Sequence, residues 1–137
     1  MKNGKKWRLL VVDDATYLLF SLRRLLADMA DEWEMVFMDN PAVALTAACE
    51  ESFDVILSDY QMPGLRGTDL VRKIKAVTPE AVCLIMTGSE ADTQMLLAMD
   101  EVSEVIQKPC RVAALRQAIN RAVEGVCADV WMEGIAG

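Results

Sequence analysis

Five short apolar runs, each followed by a segment whose apolar residues recur at helical spacing, restrict this chain more than any other feature it carries. Strands alternating with helix-period segments belong to a parallel sheet, because parallel neighbours need a crossover and a helix is the usual one. The runs read as strands at Arg8–Val12, Glu34–Met38, Asp54–Ser58, Ala81–Met86 and Glu104–Gln107. The first helix is expected to start at Asp14 or Ala15, with Leu18, Leu22, Leu25 and Met29 as its core stripe. Asn40 suits an N-cap with Pro41 at the first helical position, and Ala44, Leu45, Ala48 and Cys49 make that helix's inner face. After a Pro63-Gly64 turn, Gly67 opens a helix carrying Leu70, Val71 and Ile74. Ser89 with Asp92 resembles a capping box. The last helix is expected from about Arg111 to Val123, with Val112, Leu115, Ile119 and Val123 inward and Gly125 as its stop.

Right-handed crossovers wind such a chain both ways from its first strand, giving a doubly wound α/β domain, (βα)5, with five parallel strands in the flavodoxin-like order 2-1-3-4-5. A length of 137 residues, 53% of them apolar, fits one domain with its own core. The net charge of −7 disfavours direct nucleic-acid binding, which rests on Lys and Arg neutralising phosphates. Lys2, Lys5 and Lys6 resemble the start of a signal peptide, but the apolar run that follows breaks at Asp13, so neither a signal peptide nor a membrane span is expected. Cys49, Cys83, Cys110 and Cys127 form no CxxC pair and the chain has no histidine. Zinc binding, Ser-His or Cys-His catalysis and a phosphohistidine of its own are thereby disfavoured, and reduced, mostly buried thiols of a cytoplasmic protein are expected.

In the 2-1-3-4-5 order, strands one and three are neighbours, which brings Asp13 and Asp14 beside Asp59 at one corner of the carboxyl edge. Singly, each residue has an ordinary reading: Asp59 as a loop former, Asp14 as a helix cap, Thr87 as a turn residue beside Gly88, Lys108 as a solvated surface lysine. Together, all lie at carboxyl ends of strands, where open α/β sheets collect their chemistry. Three neighbouring carboxylates repel, so a hard divalent ion such as Mg²⁺ is the expected relief. With one Mg²⁺ and Lys108, the charges of the three carboxylates are balanced, leaving room for a phosphoryl guest.

The motifs LLVVDD, ILSDYQMPGLRG, LIMTG and VIQKP, in that order, resemble the receiver domain of two-component response regulators from about Trp7 to Val123. The resemblance implies that Asp59 is phosphorylated from a partner kinase's phosphohistidine with Mg²⁺. It implies Asp14, Asp59 and the backbone carbonyl of Gln61 as direct metal ligands, Asp13 acting through water, and Thr87 and Lys108 gripping the phosphoryl oxygens. Such a receiver catalyses only its own phosphorylation and dephosphorylation. Its partners would be a sensor histidine kinase or phosphotransfer protein and a fused or separate output domain; homodimerisation is left open. The family commonly has a cis Lys-Pro peptide after strand five, and usually an aromatic residue three positions before the lysine, where this chain has Val105. Output is then expected through the Thr87 loop, the fourth helix and the fifth strand.

Residues 1–124 are read as the receiver domain and 125–137 as a C-terminal tail or the start of a linker to an absent output domain. A haloacid-dehalogenase-like phosphatase would place its nucleophile after strand one, and an FMN carrier would want a phosphate loop where Asp13 and Asp14 stand. A non-phosphorylated pseudo-receiver, working only as an interaction module, would usually lack one of Asp13, Asp14, Asp59, Thr87 and Lys108; all five are present.

Overall fold

The computed structural model describes the backbone of residues 2–136 and the side chains of residues 2–124. Its five strands are β1 (Trp7–Val12), β2 (Trp33–Met38), β3 (Val55–Asp59), β4 (Val82–Thr87) and β5 (Glu104–Gln107). They form one parallel sheet in the order β2-β1-β3-β4-β5, the topology expected from the alternation. The helices are α1 (Thr16–Leu25), α2 (Pro41–Glu50), α3 (Gly67–Val77), α4 (Glu90–Leu97) and α5 (Val112–Ala136), with a 3₁₀ turn at Ala27–Met29.

Because side chains alternate along a strand, each central strand feeds two cores. Leu10, Val12, Ile56, Cys83 and Ile85 pack toward Ala44, Ala47 and Ala48 of α2, Leu70, Val71 and Ile74 of α3, and Leu96 of α4. Leu9, Val11, Leu57, Leu84 and Met86 pack toward α1 and α5 through Leu19, Leu22, Leu26, Leu115 and Ile119. Burial of one such leucine or isoleucine contributes about 1.5–3 kcal/mol. The two faces together hold the carboxyl edge of the sheet rigid.

Several local expectations are corrected. The buried stripe of α1 is Leu19, Leu22 and then Leu26 just past its end, while Leu25 is 45% exposed and Leu18 and Met29 are only partly covered. On α2, Ala44 and Ala48 are buried and Leu45 half-buried as expected, but Cys49 is exposed and Ala47 is buried instead. Val112 is only half-buried on α5. The thiols are not mostly buried among the described residues: Cys49 and Cys110 are exposed, and Cys83 alone is buried, its pKa pushed up to about 12 by burial. Cys127 lies outside the described side chains. Asn40 does cap α2, accepting from the Ala42 and Val43 amides at 2.9 and 3.3 Å. Ser89 does not cap α4 with its side chain. Gly125 does not end α5, whose backbone continues to Ala136; a glycine inside a helix costs only about 1 kcal/mol and does not forbid it. No helix among the described residues is long and apolar enough to cross a membrane.

Candidate functional site

The carboxyl ends of the strands are pinned by hydrogen bonds that continue the ladder beyond each strand. The Asp13 amide donates to the Met38 carbonyl at 3.2 Å, the Tyr60 amide to Met86 at 2.8 Å, and the Lys108 amide to Thr87 at 2.8 Å. Residues 13, 60 and 108 thus stand on backbone held by the sheet. The loop that follows β3 returns so closely that the Gly67 amide donates to the Tyr60 carbonyl at 2.8 Å. A β-carbon at Gly67 would lie 2.3 Å from the Asp59 carbonyl oxygen, so only glycine fits there. Gly64, with φ of +84°, makes the preceding turn in the left-handed region that glycine tolerates. Sequence reading took Gly67 as a helix opener and missed this steric role, which no local pattern encodes.

Asp13, Asp14 and Asp59 come together as expected: one carboxylate oxygen from each lies within 4.8 Å of the others. Their environments differ. Asp13 is buried, 1% exposed, and both its oxygens are engaged: Oδ1 accepts from the Ala15 amide at 3.0 Å and Oδ2 from Lys108 Nζ at 3.3 Å. Asp13 therefore braces the turn into α1 through the amide of the N-cap residue Ala15; no side chain caps the helix, and Asp14, expected in that role, is exposed. Asp59, also buried, meets Lys108 Nζ through Oδ1 at 3.0 Å. One ammonium group thus bridges two of the three carboxylates.

Burial pushes the Asp59 carboxyl above the usual carboxylate range; the hydrogen bond and charge of Lys108 pull it back, and the charges of Asp13 and Asp14 push it up again. Lys108 loses basicity to burial, but its hydrogen bond to Asp59, the charges of Asp13 and Asp59, and its bond to Asp13 outweigh that loss and leave it above the ordinary lysine value. The corner is short of positive charge. Three carboxylates against one ammonium group suit a hard divalent cation, and oxygens within 4.8 Å of one another can converge on one ion. The donor set and its charge fit that ion.

Asp59 and Lys108 open onto a cleft of about 440 Å³ lined also by Tyr60, Gln61, Thr87, Gly88 and Ser89. Thr87 is buried and its hydroxyl is held within its own loop, accepting from the Ser89 amide at 3.1 Å and donating to the Ser89 carbonyl at 3.4 Å. Gln61 is exposed at the cleft. Tyr60 lines it too, though sequence reading gave it no part. The Lys108–Pro109 peptide is cis. Val105, half-buried, packs toward the core under α2, α3 and α4, and next along β5 toward the site the Gln107 amide group donates to the Thr93 hydroxyl of α4 at 3.2 Å.

Residues 9–120 match the family model of the response regulator receiver domain. A response regulator receiver protein of Anaeromyxobacter sp. is 32% identical over 106 residues, 77% of this chain and 44% of that protein. The chemotaxis protein CheY-3 of Vibrio cholerae is 27% identical over 124 residues, 88% of this chain and 95% of its own. The crystal structure of a receiver domain protein from Clostridium thermocellum superposes with a TM-score of 0.78 at 32% identity, over 89% of this chain and 98% of that one. This chain spans less than half the length of the Anaeromyxobacter relative. With the sheet order, the acidic corner and a match across most of the chain in agreement, the protein belongs to the response regulator receiver family, the receiver module of two-component signalling.

Proposed function

We propose that Asp59 is the phosphoacceptor, taking a phosphoryl group from the phosphohistidine of a sensor histidine kinase or phosphotransfer protein. The observation that carries this reading is the seating of Asp59: a buried carboxylate beside Asp13 and Asp14, 3.0 Å from Lys108, at the mouth of a cleft shared with Thr87. An Asp59 oxygen forms the new bond to phosphorus as the donor's P–N bond breaks, and the electron pair goes to the departing imidazole. Lys108, already on Asp59, stays beside the acyl phosphate and balances its added charge. Thr87 turns its hydroxyl from the Ser89 carbonyl toward a phosphoryl oxygen. Asp14, Asp59 and the Gln61 carbonyl would hold Mg²⁺ directly; the occupied oxygens of Asp13 suit its indirect role. When bound, that ion supplies charge stabilisation for the transferring group. Gln61 and Ser89, at the cleft, are placed to influence the water that later hydrolyses the acyl phosphate.

Release of the Ser89 carbonyl shifts the loop that leads into α4. With Val105 in place of an aromatic residue, the change passes through α4 and its Gln107–Thr93 link to β5, and the α4–β5–α5 face presents it to a partner or output domain, with homodimerisation through that face left to experiment. Residues 1–124 act as the receiver unit and 125–137 as a tail or linker. The setting is cytoplasmic, where the kinase's phosphohistidine is generated.

Incubation with Mg²⁺ and acetyl phosphate, followed by intact mass spectrometry, tests the acceptor. A hydroxylamine-labile phosphoryl adduct is expected on the native protein, absent from Asp59→Asn and abolished by chelator. A folded, Mg²⁺-binding protein that gains no adduct would instead be a pseudo-receiver acting as an interaction module.

A further inference from the structure

The acceptor cleft is a difficult destination for an anion. The chain carries a net charge of −7, three carboxylates crowd the corner, and Lys108, the one cation lining the cleft, is already engaged by both Asp13 and Asp59. A second cleft, of about 470 Å³, adjoins it. That cleft is lined by Tyr60, Gln61, Met62, Pro63 and Arg66, and it shares Tyr60 and Gln61 with the acceptor cleft. Arg66 is exposed at the N-cap position of α3, where it makes no side-chain cap; among the described residues its guanidinium enters no ion pair, hydrogen bond or ring contact. By contrast, Arg8, Arg23, Arg72, Arg116 and Arg121 are committed to packing or pairing elsewhere.

Resting on the acceptor role of Asp59, we propose that Arg66 is a specificity residue for the incoming phosphodonor: its uncommitted charge, on the approach to the acceptor, draws the anionic phosphoryl group in. Guanidinium is always charged and its planar fork matches phosphate oxygens, which suits a transient contact of this kind. The position of the residue follows from the fold. The close return at Gly67, which carries the chain back to the Tyr60 carbonyl, puts the side chain of the preceding residue beside the same wall that Gln61 forms.

The same charge has the opposite consequence for a cation. Near a three-carboxylate corner, a fixed positive charge lowers Mg²⁺ affinity while it raises the encounter rate of an anion. Loss of Arg66 is therefore expected to slow phosphorylation and tighten Mg²⁺ together, a pair of signs that local unfolding does not produce, since unfolding weakens both.

The test compares the full chain with Arg66→Ala, Arg66→Glu and Arg66→Lys, and with Arg24→Ala, which makes the same net-charge change on the last turn of α1 at the far edge of the sheet. Phosphorylation by subsaturating acetyl phosphate is followed by mass spectrometry at saturating Mg²⁺ over a range of NaCl, and Mg²⁺ binding by calorimetry. Arg66→Ala is expected to slow phosphorylation about two- to fivefold at low salt, Arg66→Glu more, with the difference shrinking as salt screens it. Arg66→Lys retains most of the rate, Mg²⁺ binds Arg66→Ala more tightly than the native protein, and Arg24→Ala changes neither. Equal rates in native, Arg66→Ala and Arg66→Glu proteins would overturn the role of Arg66 while leaving Asp59 as acceptor, as would a joint loss of rate and Mg²⁺ affinity. An absence of adduct on the native protein would overturn both.

Discussion

Asp59 sits where burial and two neighbouring carboxylates oppose its ionisation, and only Lys108 favours it. A folded-state pKa above the unfolded value near 3.9 means that the stability this residue contributes is complete below that value and is lost as pH rises through the folded pKa. Lys108, raised above its ordinary value, stays charged throughout that range and adds no slope of its own. In chelator, the Tm of Asp59→Asn relative to the native protein should therefore climb as pH rises above about 4, a trend that thermal melts across pH will check. A flat difference would mean that Lys108 cancels the burial cost. This chemistry was partly legible in the sequence: Asp13, Asp14, Asp59, Thr87 and Lys108 stand out once their strands are aligned. The division of labour between Asp13 and Asp14 was not, because both follow the same strand and only the turn into α1 decides which one faces inward and accepts from the Ala15 amide.

The elements show where periodicity stops being informative. Around α1 the leucines at 18, 19, 22, 25, 26 and the methionine at 29 offer two overlapping stripes that share Leu22. A rotation of the helix by one residue exchanges them, and packing against α5 and the sheet selects Leu19, Leu22 and Leu26. Strand identities were clear because their apolar runs are short and bounded; their ends moved by a residue because the ladder continues wherever a neighbour can accept. The close return after β3 belongs to this scale as well. Gly67→Ala should destabilise the fold by about 1–3 kcal/mol through overpacking and weaken Mg²⁺ binding by displacing the end of β3. Gly88→Ala, whose added carbon meets open space, should change stability by no more than about 0.5 kcal/mol. Denaturant melts of the two variants, with Mg²⁺ titrations of Gly67→Ala, distinguish a steric constraint at Gly67 from a general intolerance of glycine replacement in the site loops.

For the whole molecule, the acidic corner couples ligand to fold. An ion that binds only the assembled corner stabilises it by about 2.7 kcal/mol at a hundredfold excess over its Kd. Calorimetric Tm should therefore rise with Mg²⁺ in the native protein, return on chelation, and respond far less in Asp59→Asn. A native Tm indifferent to Mg²⁺ would separate the acidic corner from metal binding altogether. The topology that builds the corner also sets when it exists. Asp13 and Lys108 are joined across 95 positions of chain, and β1, which ends beside them, is flanked by strands that come later in sequence. A nascent or truncated polypeptide that stops before β5 has Asp59 yet lacks the lysine that meets it. The corner is thus a non-local device: every piece of chain too short to reach β5 holds its three carboxylates without the one ammonium group that bridges two of them.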